Sequence, residues 1–117
     1  MNQTCINGFS VNIQRITKNK ILFSAQHIFI YDIVTRKFDI VATMGKEYER
    51  QSPLIIATVG TKTYLSDLKN ICEYDSSEGT FKTIYQGQHI INDASMDKDG
   101  VFWLASTEGL LRYDPRT

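Results

Sequence analysis

A Tyr-Asp pair recurs three times along this chain, at Tyr31-Asp32, Tyr74-Asp75 and Tyr113-Asp114, with intervals of 43 and then 39 residues. Each pair closes a hairpin of two short apolar runs. Ile21-Leu22-Phe23-Ser24-Ala25 leads to Ile28-Phe29-Ile30, Thr63-Tyr64-Leu65-Ser66-Asp67 leads to Ile71-Cys72-Glu73, and Phe102-Trp103-Leu104-Ala105-Ser106 leads to Leu110-Leu111-Arg112. After the first two pairs, five residues separate Asp32 from Phe38 and Asp75 from Phe81, and each Phe opens a further alternating run. Ahead of each hairpin stands one more apolar segment: Val11 to Ile16, Leu54 to Val59, and Ile90 to Met96. A period near forty residues with four short runs in each is the pattern of a propeller blade.

Composition supports strands. The chain is rich in Ile, Val, Thr, Tyr and Phe, which suit a pleated, half-buried surface, and no segment carries a sustained period-3.6 stripe. Only Lys46 to Gln51 has room for a helical turn. In Val101-Phe102-Trp103-Leu104-Ala105 and Leu54-Ile55-Ile56-Ala57 consecutive positions are all apolar, so both faces of these strands are expected to be covered, as when sheets stack broadside. The expected fold is all-β: a β-propeller fragment of about three four-stranded antiparallel blades, with units at about 11–43, 52–86 and 88–117 in a single partial domain. The alternative is a β-sandwich whose hairpins share turn chemistry.

Several function classes are disfavoured. Thirteen basic and thirteen acidic side chains leave a formal net charge of zero, and no basic stripe suits nucleic acid. No apolar run approaches the roughly 18 residues of a membrane span, and Met1-Asn2-Gln3-Thr4 is too polar to open a signal peptide. Cys5 and Cys72 lack metal-ligand spacing; Cys72 reads as a small buried thiol. Asp97-Lys98-Asp99-Gly100 has the look of a calcium loop, but aligning Gly100 with the sixth loop position puts Ser106 where the bidentate Glu belongs. A tight hairpin turn is the better reading. His27 and His89 read as rim residues at strand ends. Ser24, Ser66 and Ser106 have no His and Asp partners and read as small residues where sheets approach closely. The three tyrosines read as packing residues whose hydroxyls bond backbone, and the aspartates after them as turn formers. No catalytic residues, metal ligands or cofactor site are expected.

The third unit, IINDASMDKDGVFWLASTEGLLRYDPRT, resembles the two-component regulator propeller repeat, matching it at Ile91, Asp97, Gly100, Trp103, Leu104, Thr107, Gly109, Leu110, Arg112, Tyr113 and Asp114. Ala105-Ser106 departs from that pattern's usual glycine. The second unit keeps the Tyr-Asp-x5-Phe core with Tyr64 and Asn70 in place of the Trp and turn glycine, and the first departs further. The resemblance implies a non-catalytic sensor propeller of a hybrid two-component regulator from Bacteroides-type bacteria. It also implies an extracytoplasmic, periplasmic location and ligands that are glycan breakdown products. Kinase and membrane-spanning segments would lie outside these residues. A protein-binding scaffold is the alternative, and a propeller lyase or glycoside hydrolase fragment a more distant one.

A ligand surface is expected on the end that carries the links between units and the inner hairpin turns. The candidates are Glu47, Tyr48 and Arg50 in the long Met44 to Ser52 link, with Lys69, Asn70 and Glu108. Tyr48 would stack on a sugar ring, with Glu47 and Arg50 bonding hydroxyls. Three blades cannot close a ring, so self-association is expected, through exposed blade faces or by a strand exchanged at the Leu110 to Tyr113 edge. Thr4 to Ser10 is the segment placed to supply that strand.

Overall fold

The structure, a computed structural model, describes residues 12–24, 27–43 and 54–117. Eleven strands run through these residues and no helix. The first sheet holds β1 (Asn12–Arg15), β2 (Lys20–Ser24), β3 (His27–Asp32) and β4 (Phe38–Thr43). The second holds β5 (Leu54–Val59), β6 (Lys62–Asp67), β7 (Asn70–Asp75) and β8 (Thr80–Gln86). The third holds β9 (Ile91–Met96), β10 (Phe102–Ser106) and β11 (Gly109–Tyr113). Each is an antiparallel meander in chain order. The third has three strands, with β11 at its edge.

Register makes the repeat exact in space. Ile21 pairs with Tyr31, Thr63 with Tyr74 and Phe102 with Tyr113. Side chains two apart along a strand share a face, so each Tyr lies on one face together with Phe23, Leu65 or Leu104. The opposite face carries Leu22, Tyr64 or Trp103.

Those faces stack. Ile16, Leu22, Ile28, Ile30 and Val41 of the first sheet meet Ile55, Leu65, Tyr74 and Phe81 of the second. Ile56, Tyr64, Ile71, Ile84 and Tyr85 of the second meet Ile91, Ala94, Met96, Phe102, Leu104, Leu111 and Tyr113 of the third. A bulge between Ile55 and Ala57 lets consecutive isoleucines serve different neighbours, Ile55 the first sheet and Ile56 the third. This is the both-faces burial that the apolar run Leu54–Ala57 implied. The leading strands lie against one another, β1 on β5 and β5 on β9, as inner strands do around a propeller axis.

Within the seams, Tyr64 meets Phe102 edge-on at 5.2 Å between ring centroids. The Tyr113 hydroxyl donates to the Ile84 carbonyl across the sheets at 3.0 Å. Tyr74 is buried, which with the charges of Asp39 and Asp75 raises its pKa. Glu73, on the second sheet's forward face, is 8% exposed and sits 3.7 Å from both Lys62 and Lys82.

Ser24 and Ser66 are buried, at 0% and 3% exposure, on the faces that receive the following sheet. Ser106 does not join them: its hydroxyl donates to the Gly109 carbonyl at 2.9 Å and accepts from the Glu108 amide at 3.1 Å. Ala105, one residue earlier, holds the equivalent sheet position, and Ser106, the last residue of β10, closes the turn that follows.

Candidate functional site

The pairing registers sort the connections onto two ends. Thr43 pairs with His27, Leu54 with Ser66, Gln86 with Asn70, and Ile91 with Ser106. The links between sheets therefore emerge at the same end as the inner hairpin turns Leu68-Lys69 and Thr107-Glu108. The turns 16–19, 33–37, 60–61, 76–79 and 97–101 lie at the other.

At the linking end, the second sheet's turn is clipped to the strand-to-strand link of the third. The Gly87 amide donates to the Lys69 carbonyl at 2.9 Å, and the Ile91 amide to Leu68 at 2.7 Å. The Thr107 amide in turn donates to the Ile90 carbonyl at 3.1 Å. Gly87 is required by this closeness: a Cβ there would stand 2.8 Å from the Lys69 carbonyl oxygen, nearer than real Cβ atoms come.

Lys69 and Glu108 are exposed and Asn70 half-buried on this end. The Glu108 carboxylate lies 3.9 Å from Nδ1 of His89. Glu47, Tyr48 and Arg50 fall outside the described residues, as do Thr4 to Ser10, Lys46 to Gln51 and Cys5. The structure thus places Lys69, Asn70 and Glu108 on the expected end, with His89 as an additional neighbour.

The other end is built on aspartates. Asp32 Oδ1 accepts from the amides of Val34 and Thr35 at 2.9 and 3.1 Å. Asp75 Oδ1 accepts from the Ser77 amide at 2.9 Å and its hydroxyl at 2.7 Å. Asp114 Oδ1 accepts from the Arg116 amide at 3.0 Å. All three carboxyl groups are held below their ordinary value, chiefly by the Thr35 amide, the Ser77 hydroxyl and the Arg116 guanidinium respectively. They are the turn formers the sequence suggested.

Asp97 extends the device. Oδ1 accepts from the amides of Asp99 and Val101 at 2.9 and 3.1 Å, while Oδ2 takes the Trp103 indole N–H at 3.0 Å. With Gly100 at φ +82°, the loop is the hairpin turn expected. Its carboxylate locks a large side chain on the face of the third sheet that meets no other sheet among the described residues, and the Arg112 guanidinium sits 5.9 Å from the same ring. The link from Asp97 to Trp103 was not read from the sequence, although their spacing is part of the repeat.

A hollow of about 190 Å³ opens at this end between the second and third sheets, lined by Val59, Tyr64, Met96, Phe102, Pro115 and Arg116 among others. Its apolar walls and small size suit one small group rather than a whole sugar chain. Among the described residues no group of three or more His, Cys, Asp or Glu side chains could hold a metal ion, and no helix is long and apolar enough to cross a membrane. The thiol of Cys72 is buried and pushed up to about 11 by desolvation, which keeps it protonated and unreactive at neutral pH.

No protein-family model matches the sequence, and no curated protein is significantly similar to it. The fold is similar to two solved structures of the extracellular domain of BT4673 from B. thetaiotaomicron. In one it is assigned to a one component system: TM-score 0.70, 16% identity, covering 92% of this chain and 16% of that one. In the other it is assigned to a hybrid two component system: TM-score 0.68, 16% identity, covering 90% of this chain and 15% of that one. The chain therefore spans about a sixth of the length of these domains. At this identity the likeness is one of fold, and the fold is the all-β stack of blades that the resemblance of the third unit implied.

Proposed function

We propose that this chain is part of a non-catalytic sensor propeller of a two-component signalling regulator, acting outside the cytoplasm, in the periplasm, on an oligosaccharide ligand. Two things support the reading: the resemblance of the third unit to the regulator repeat, and a fold shared with an extracellular domain assigned to such a system. The observation that carries it is the convergence of sheet links and inner turns on one end, where Lys69, Asn70 and Glu108 stand on a rigid frame fastened through Gly87 and Ile91. Polar, mostly exposed side chains on such a frame suit hydroxyl-rich ligands. Glu47, Tyr48 and Arg50 are proposed as the other half of that surface. No cofactor or metal enters this reading.

A thermal-shift screen against oligosaccharides, followed by calorimetry, tests it. Lys69→Ala with Glu108→Ala is expected to weaken binding by about 10- to 100-fold, the loss of one or two charged hydrogen bonds. Unchanged affinity would move the site elsewhere. A chain that binds no oligosaccharide would favour the scaffold reading, which the exposed apolar surface of the first sheet already suits: Ile13 is 70% and Ile40 58% exposed.

A further inference from the structure

The formal neutrality of the whole chain hides a separation of charge. Between residues 12 and 43 the first sheet carries five basic side chains, Arg15, Lys18, Lys20, Arg36 and Lys37, against Asp32 and Asp39, a net +3. Between residues 91 and 117 the third sheet carries three basic and five acidic side chains, a net −2. Four of the first sheet's five cations gather around its two turns at the end opposite Lys69 and Glu108, with Arg15 beside them. Arg15 closes β1, Lys20 opens β2 and Lys18 sits in the turn between them. Arg36 and Lys37 belong to the turn 33–37, whose Ile33 amide donates to the Asn19 carbonyl of the first turn at 2.8 Å. All but Lys20 are exposed. The two acids are engaged elsewhere: Asp32 Oδ1 takes the Val34 and Thr35 amides, and Asp39 bears on Tyr74 of the second sheet.

The turn that carries Arg36 and Lys37 also carries an apolar pair, Ile33 at 38% and Val34 at 69% exposure. Turn chemistry does not ask for them. The equivalent turn of the second sheet, closed by Asp75 in the same way, has Ser76 and Ser77 in those places. We propose that this end of the first sheet docks on an anionic lipid surface. Ile33 and Val34 enter the headgroup layer, and Arg15, Lys18, Lys20, Arg36 and Lys37 hold the lipid phosphates.

Apolar side chains set among basic ones are the pattern of a contact lying on a membrane, which is a different matter from crossing it. The aliphatic stems of Lys and Arg lie along the interface while their heads reach the phosphates. A soluble acidic partner accounts for the charges but leaves the exposed Ile33 and Val34 without a role. Both turns lie beyond the strand ends, off the faces on which sheets stack, so the contact is compatible with further blades on either side. It stands at the end opposite the proposed ligand residues and uses none of them, so its failure and that of the sensing reading are separable.

Flotation with phosphatidylcholine vesicles, with and without about 30% phosphatidylglycerol, is the test. The wild-type protein is expected to float with the anionic vesicles only, and less so as salt rises from about 20 to 300 mM. Lys18→Glu combined with Lys37→Glu should weaken binding by about 25-fold or more, at roughly fivefold for each cation lost. Val34→Ser should weaken it by about tenfold. Lys98→Glu, on the acidic third sheet, should leave it within about twofold. All four residues are exposed, so each variant should keep its far-ultraviolet dichroism. A wild-type protein that stays with neither vesicle overturns the proposal. So does a loss in the charge variant with none in Val34→Ser, which would mean a soluble acidic partner, or an equal loss in Lys98→Glu, which would mean attraction without a site.

Discussion

Phe23, Leu65 and Leu104 hold the same register position in three successive sheets, but only the last two have a neighbouring sheet over them. Leu65 and Leu104 are 0% exposed, and each touches a seam. Replacing either by Ala removes three carbons, about 2.4 kcal/mol of transfer free energy at about 0.8 per methylene. A cavity contribution brings the cost to about 3 kcal/mol. A chain of this length has a total stability of roughly 6–17 kcal/mol, so the loss is a large fraction. In urea, with m about 2 kcal/mol/M, the midpoint should fall by about 1.5 M; by heat, Tm should drop by roughly 12 °C. Phe23→Ala removes a larger side chain, but among the described residues Phe23 has no neighbouring sheet over it, only the rings of Phe29 and Phe38 of its own sheet, and as a half-buried side chain it should cost about 2 kcal/mol, with no enclosed cavity to add to it. The ordering is the point. If Leu65→Ala and Leu104→Ala each cost less than about 1 kcal/mol, or no more than Phe23→Ala, the sheets do not stack and the propeller reading fails.

Two further expectations follow from the turns. Leu68 sits at φ +52°, a left-handed conformation that costs a branched residue about 1 kcal/mol or more, so Leu68→Gly should raise the urea midpoint, and a lowered midpoint would show that Leu68 packing outweighs its backbone. Asp32, Asp75, Asp97 and Asp114 all have folded pKa values lowered from 3.8. The stability they contribute is complete above that unfolded value and is lost as pH falls toward and through the lower folded values. Midpoints measured from pH 6 to 2 should therefore hold level and then fall below about pH 5, with Asp97→Asn shallower in that fall; a parallel curve for the variant would remove Asp97 from the account.

Much of the architecture was legible in one dimension because the device repeats. Tyr-Asp at the end of each inner hairpin marks a strand end and a turn at once: the Tyr ring faces the preceding position in the stack, and the Asp oxygens close the turn that follows. The Phe five residues beyond marks the outer strand. Single residues were less legible. Ser106 matched Ser24 and Ser66 in the string, but a shift of one residue in β10 moves a side chain to a different environment, and its hydroxyl closes a turn instead. Gly87 carries no pattern of its own; its need for a hydrogen side chain arises from the Lys69 carbonyl eighteen residues earlier. Asn70 stands where the third unit has Gly109, yet the second unit moves its positive φ to Leu68, which no preference of leucine would suggest.

The sequence by itself determined the strands, their order within each sheet and the three-fold repetition, because alternation, turn residues and spacing are local and each unit states them again. Only the tertiary structure decided which face of each sheet meets a neighbouring sheet and which end gathers Lys69, Asn70 and Glu108. Those outcomes depend on how sheets forty residues apart come into register, and the contacts that settle them, Tyr64 on Phe102 or Tyr113 on Ile84, join residues whose nearness no local pattern encodes.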